Sequence, residues 1–343
     1  MAGGNDVWPV KDDVASMDLL SKSHQIYGPV VKLWLGPTQL LVSIKDPELI
    51  KEMLLQAEDK LPLTGRAFRL AFGRSSLFVS SFDKVKERRN SLASELNGKL
   101  FGRAIGIPAR VVDCVMDRIQ NVMARGGLDC AMVSQHLAFT ILGATLFGDE
   151  FLAWSKATVY EELLMNIAKD ACFWASYSVT PFWKQGFWRF QHFCSKLKCL
   201  TQDIIQHCRQ HKKVFCEMDQ SPYNETKNTG GDPAFLWEFD GHLRGREESC
   251  GDIVSLMFHG SITTAGLIGN ILASLVTHPD IQDKIHSEII IMRKGSQEQD
   301  RLDVDRMPFL LATVYESARL LPAGPLLQRC SLKHDLVKRK QST

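Results

Sequence analysis

The stretch from Glu247 to Pro279 constrains this chain most. Leu256, Met257, Phe258, Ile262, Leu267, Ile268, Ile271, Leu272, Leu275 and Val276 fall at spacings that cover almost the whole circumference of an α-helix. A helix that is apolar nearly all round is buried on most sides. The spacing therefore predicts one long central helix with the rest of the chain packed around it. At its centre, Phe258-His259-Gly260-Ser261-Ile262-Thr263-Thr264-Ala265 carries polar groups that a plain core helix avoids. Gly260 costs about 1 kcal/mol of helix propensity relative to alanine. The hydroxyls of Thr263 and Thr264 can turn back onto carbonyls of the preceding turn and loosen the ladder. A glycine beside a hydroxyl pair leaves room for something flat against the backbone.

The chain has 343 residues, enough for one large domain or two ordinary ones. Lys plus Arg number 41 against 39 for Asp plus Glu, so the formal net charge of +2 gives no argument for nucleic acid. No internal repeat or low-complexity tract is visible, which disfavours a solenoid. The nine cysteines, Cys114, Cys130, Cys172, Cys194, Cys199, Cys208, Cys216, Cys250 and Cys330, are scattered without C-x-x-C or Cys/His finger spacing. They read as reduced core thiols in a cytosol-facing protein, and no metal site is expected from them. Asn224-Glu225-Thr226 is a formal glycosylation sequon that reads as chance without a secretory signal. The opening Met1-Ala-Gly-Gly-Asn-Asp-Val-Trp-Pro9 has neither signal-peptide nor anchor character. With no uninterrupted apolar run of about 18 residues, no transmembrane segment is expected.

In chain order, Asp12–Tyr27 reads as a helix ended by Gly28-Pro29. Val30–Leu35 and Gln39–Ile44 alternate as strands joined by Gly36-Pro37-Thr38. Asp46 is placed to cap a helix that has Pro47 at its first position and runs over Glu48–Gln56. Ser80–Leu100 reads as a basic amphipathic helix containing Lys84-Val85-Lys86-Glu87-Arg88-Arg89. Pro108–Arg125 and Leu128–Phe147 read as two further helices. The aromatic-rich part, Phe151–Lys213, reads as two helices bent near Pro181. Met218–Gly245 is polar and reads as a surface loop. After the central helix, Asp280–Arg293 and Pro308–Leu320 read as amphipathic helices. On the second, Glu316 and Arg319 stand three apart on one face and can pair. No boundary with a separate core on each side appears, so residues 1–336 read as one domain and 337–343 as a non-homologous or disordered tail.

Gly260, Thr263, Thr264 and Ala265, followed by His278-Pro279-Asp280, Met307-Pro308-Phe309-Leu310 and Glu316-Ser317-Ala318-Arg319, resemble in order and spacing the cytochrome P-450 superfamily of haem-thiolate monooxygenases, of the eukaryotic microsomal, plant type. His259 stands at that family's small-residue position and Ile262 at its acid. The resemblance runs from about Leu19 to Leu336 and implies a mainly α fold with a small N-terminal β-sheet and the C-terminal part missing. It implies haem as cofactor, an apolar small-molecule substrate and an NADPH-dependent reductase as partner, on the cytosolic face of the endoplasmic reticulum membrane.

By the same resemblance, Thr263, Thr264, Gly260 and Ser261 form the oxygen-activation helix. Thr263 positions dioxygen proton donors, Gly260 gives the oxygen room, and Ser261 with water replaces the missing acid. Arg88 matches an arginine that approaches a haem propionate, and Lys84 replaces a tryptophan beside it. His259 could contact the iron through Nε2. Glu316 and Arg319 match a buried structural pair. The axial cysteine loop is absent: Cys330, in Gln328-Arg329-Cys330-Ser331-Leu332, lacks the flanking Phe and glycines. The resemblance therefore implies a truncated, inactive product, cytosolic or degraded. The alternative is a non-catalytic splice product or gene-model fragment that acts through partner binding.

Overall fold

The computed structural model describes residues 13–35, 39–56, 66–74, 76–80, 82–95, 107, 111–112, 115–116, 129–175, 182–218, 246–295 and 306–323. The expected 108–125 helix lies almost wholly outside these residues. So do the 219–245 loop with its sequon, the bend at Pro181, Cys330 and the 337–343 tail. The chain divides into two compact units, Met1–Leu61 with Gln328–Thr343, and Pro62–Leu327.

In the first unit, α1 (Asp13–Tyr27) is followed by strands β1 (Val30–Leu35) and β2 (Gln39–Ile44) and by α2 (Pro47–Gln56). The strands pair antiparallel with Val30 opposite Ile44 and Leu35 opposite Gln39. Gly28, at φ 95, takes the left-handed conformation that ends α1. The His24 ring ties helix to sheet, one nitrogen 2.9 Å from the Gly28 carbonyl and the other 2.9 Å from the Ser43 hydroxyl. Asp46 caps α2 as its sequence predicts, accepting the Leu49 amide at 3.0 Å.

The second unit is helical: α3 (Arg66–Phe72), α4 (Phe82–Glu95), α5 (Cys130–Phe147), α6 (Asp149–Ala153), α7 (Ala157–Ala175), α8 (Gln185–Met218), α9 (Arg246–Thr277), α10 (Pro279–Gly295) and α11 (Pro308–Leu320). Asp129 caps α5 through its side chain, and Gly148 ends it at φ 77. The short helices α3 and α6 carry too few turns to show a period. The core is aromatic and joins α3, α5, α7, α8 and the first part of α9, with Phe72, Phe139, Phe147, Phe151, Tyr160, Phe187 and Phe190 fully buried. Tyr160 OH and Thr201 Oγ1 share a hydrogen bond of 3.0 Å inside it. Burial raises the Tyr160 phenol far above its ordinary range. Of the aromatic-rich segment, Trp154, Trp174, Phe187 and Phe190 enter this core, whereas Phe173, Phe182, Trp183 and Trp188 are exposed.

The central helix α9 packs antiparallel along α5. Leu142 faces Gly260 at one end of the contact and Ser134 faces Gly269 at the other. It is not buried on most sides along its whole length. Ile253, Val254, Met257 and Phe258 are in the core, but Leu272 is 37% and Val276 79% exposed. An all-round apolar pattern shows what a helix can be buried against, not what lies there. Among the described residues, two helices, Cys130–Phe147 and Cys250–Thr277, are by length and composition alone long and apolar enough to cross a membrane. The expectation that no segment qualifies rested on uninterrupted runs, which Ser134, His136, Ser261 and Thr263 break without lowering the mean hydropathy enough. Beyond α9, the Glu288 carboxylate of α10 accepts the Phe309 and Leu310 amides at 3.1 and 3.0 Å. It so caps α11 behind Pro308, whose own first position needs no donor.

Candidate functional site

The first half of α9 is held by close backbone approach and by one buried charge. A Cβ on Gly251 would collide with the Phe72 carbonyl oxygen, so the glycine lets the end of α3 lie directly on the central helix. The next residue, Asp252, is fully buried. Its Oδ1 accepts the Leu77 amide at 2.7 Å, and its Oδ2 lies 3.7 Å from Arg88 Nη2 on α4. Arg89 Nη2 donates to the Leu77 carbonyl at 2.6 Å.

The oxygen-helix residues separate by face. Thr263 and Thr264 are both exposed, and Thr263 Oγ1 donates to the His259 carbonyl at 2.7 Å, the back-bond that a helical threonine makes. Ser261 lies two residues earlier, about 200° around the helix at 3.6 residues per turn. It is 1% exposed, and its Oγ has no hydrogen-bond partner among the described residues. Ser261 therefore does not stand beside Thr263 to replace the acid missing at Ile262, as its place in the sequence suggested. A buried hydroxyl on the opposite face reaches neither the Thr263 hydroxyl nor the solvent beside it.

The space opened by Gly260 is taken by a side chain. A Cβ there would come 2.5 Å from Leu142 Cδ2 of α5. Leu142 presents the flexible end of a leucine, so it can move aside at a cost comparable with the roughly 1 kcal/mol of propensity that alanine regains. Gly260→Ala is expected to change the free energy of urea unfolding by less than about 1.5 kcal/mol. A loss of about 3 kcal/mol or more would show that the α5 contact cannot yield.

The His259 ring lies among aromatic rings, with its centroid 4.4 Å from that of Phe78 and 6.2 Å from that of Phe72. Its Nε2 is buried. The structure thus places the ring in packing with the 76–80 turn. The match to a propionate-binding arginine, Arg88, faces Asp252, with its side chain 19% exposed. Lys84 lies one turn before it on α4, and its side chain is outside the described residues. Glu316 and Arg319 form a two-point ion pair, both bonds 2.7 Å. The pair is exposed rather than buried, with side chains 55% and 66% accessible. The Arg319 guanidinium holds the Glu316 carboxyl below its ordinary range.

Among the described residues, three cysteines have defined surroundings. Cys208 donates to the Phe147 carbonyl and Cys250 to that of Lys198. Burial pushes the Cys194 and Cys208 thiols up to about 12, so both stay protonated near neutrality. Cys250 precedes Thr263 by thirteen positions, about 20 Å along the helix. Sequence reading missed Asp252, Leu77 and Arg89. The available signal was a lone carboxylate beside the apolar run that starts at Ile253-Val254, which a buried helix tolerates only with a counter-charge.

The Cytochrome P450 family model matches residues 10–340. Human Cytochrome P450 4F11 is 23% identical over 334 residues, covering 92% of this chain and 63% of the relative. Cytochrome P450 78A7 of Arabidopsis thaliana is 25% identical over 312 residues, covering 85% of this chain and 55% of the relative. The chain thus spans less than two thirds of the length of these curated relatives. A zebrafish cytochrome P450 solved with progesterone superposes with a TM-score of 0.66 at 18% identity, covering 90% of this chain and 71% of that one. With the family model matched along nearly its whole length, the chain belongs to the cytochrome P450 family.

Proposed function

We propose that the exposed face of α9 at Thr263 is the distal wall of a haem pocket, serving monooxygenation of an apolar small molecule. Haem is the cofactor of this family, and when bound it supplies the activation of dioxygen with electrons from a reductase partner. The residues present fit one face of that group. Thr263 and Thr264 are exposed. The Thr263 hydroxyl hydrogen is spent on the His259 carbonyl, so its oxygen is left to accept a proton-bearing partner from outside. With Ile262 at the acid position and Ser261 on the far face, the Thr263 hydroxyl and solvent water are the proton-handling groups here. The partly buried Phe78 ring beside His259 suits an apolar substrate better than a charged one.

Among the described residues, the thiols with resolved surroundings do not serve the other face. Burial keeps the Cys194 and Cys208 thiols protonated and Cys250 donates to a carbonyl, and in the sequence Cys330 stands outside a Phe- and Gly-rich loop. In this reading a haem seated on α9 takes no thiolate from Cys194, Cys208 or Cys250. An NADPH-dependent reductase and the cytosolic face of the endoplasmic reticulum belong to the same reading. The observation that carries it is the exposed hydroxyl pair at the middle of α9. Thr263→Trp tests it, because an exposed position accepts a large side chain at little cost to folding. Soret titration with haem is expected to show affinity falling by about tenfold or more in the variant. Equal titration of both chains would remove α9 from the haem site. A second reading, a non-catalytic chain that binds a partner, draws on exposed Val276, Ile291, Tyr315 and Leu320. It predicts no haem titration in either chain.

A further inference from the structure

Asp252 belongs to none of the roles above, yet it is a fully buried carboxylate on the helix that organises the fold. Both peptide groups of Leu77 are gripped, the amide by Asp252 Oδ1 at 2.7 Å and the carbonyl by Arg89 Nη2 at 2.6 Å. The next residue, Phe78, carries the ring that packs on His259. The same carboxylate turns Oδ2 toward Arg88 Nη2 at 3.7 Å. One side chain thus ties together the central helix, the basic helix α4 and the 76–80 turn between them.

We propose that Asp252 is a positioning residue, a latch that fixes the 76–80 turn and Arg88 against α9 and commits Arg88 to a protein carboxylate instead of a haem propionate. An ionised carboxylate out of water needs charge-assisted partners, and removing one of them is costly. A propionate that drew Arg88 away would strip Asp252 of an ion-pair partner. With the latch closed, Phe78 covers the His259 side of α9. With it open, the turn is free to leave. The placing of this latch at a distal pocket rests on the haem reading above. The latch itself does not.

Amide hydrogen exchange of the full chain, read at residues 76–80, tests the latch, with haem titration alongside. Asp252→Asn keeps the size and an acceptor oxygen and removes the charge. Arg88→Gln removes the counter-charge. Both are expected to speed exchange of the 76–80 amides by about tenfold or more while the α7 and α8 amides keep their protection. The double variant is expected to exchange no faster than the faster single one, as for two partners in one interaction. Haem affinity is expected to change less than about twofold in Arg88→Gln. Unchanged exchange at 76–80 in Asp252→Asn overturns the proposal. So does a loss of haem affinity of about tenfold in Arg88→Gln with none in Asp252→Asn. Should Arg88→Gln lose protection everywhere, Arg88→Lys decides: local protection restored supports the latch, and protection still lost overturns it. The exchange measurement needs no haem, so failure of the haem reading shows separately in the titration.

Discussion

Gly251→Ala is expected to destabilise the Pro62–Leu327 unit by about 2 kcal/mol, after crediting alanine with about 1 kcal/mol of helix propensity. Propensity alone predicts the opposite sign, since a glycine in the second turn of a long helix is a cost. The structure reverses the sign because the added methyl meets the Phe72 carbonyl oxygen, a backbone atom at the end of α3. Phe72 is itself fully buried in the aromatic core. The following Gly73, at φ 86, sets the direction in which the chain leaves α3. The carbonyl therefore cannot move without shifting α3 or α9, and overpacking against a fixed wall outweighs the gain in propensity. Thermal unfolding of both proteins is the check, with a midpoint about 5 °C lower expected for the variant. A midpoint equal to or above the parent's would mean that α3 does not sit on α9 this closely.

The contrast between Gly251 and Gly260 shows what the sequence could and could not reveal. Both are glycines inside one helix. One faces a backbone oxygen and the other a mobile leucine tip, and no local pattern separates them. Elements long enough to show a period were legible: Pro308–Leu320 falls where the sequence places it, and β1 and β2 pair as read. Mainly helical character with one small antiparallel sheet followed from the same periodicities. The short α3, seven residues ended by Gly73, gave no period to read. Thr263, Thr264, Glu316 and Arg319 could be named as candidates because they form short motifs on single helices. The Asp252 contacts could not, because the one with Leu77 joins residues 175 apart in sequence and both depend on the packing of α3, α4 and α9. The His259 ring shows the limit within a motif. Sequence places it on α9 one residue before Gly260, but only the fold turns it against Phe78.

The largest spectroscopic effect is expected from ligation. The chain expressed with haem, reduced and treated with carbon monoxide, is expected to show none of the red-shifted band of a thiolate-bound haem. Among the described residues, the physical ground lies in three thiols. Cys194 and Cys208 are buried on α8, and both titrate only near 12. Cys208 and Cys250 donate their hydrogens to carbonyls, and Cys250 lies some 20 Å from Thr263 along the helix. Only a thiolate is a competent ligand, and a protonated thiol held in an apolar core is not one. His259 is the remaining candidate on α9. Its Nε2 is buried and its ring is packed near Phe78, so binding iron would require it to leave that packing. The parent and His259→Ala chains are therefore expected to give superimposable spectra. A nitrogen-ligated spectrum in the parent that disappears in His259→Ala would show that the ring does turn out to the open face. A thiolate band in the parent would show that one of the nine cysteines of the chain reaches a haem.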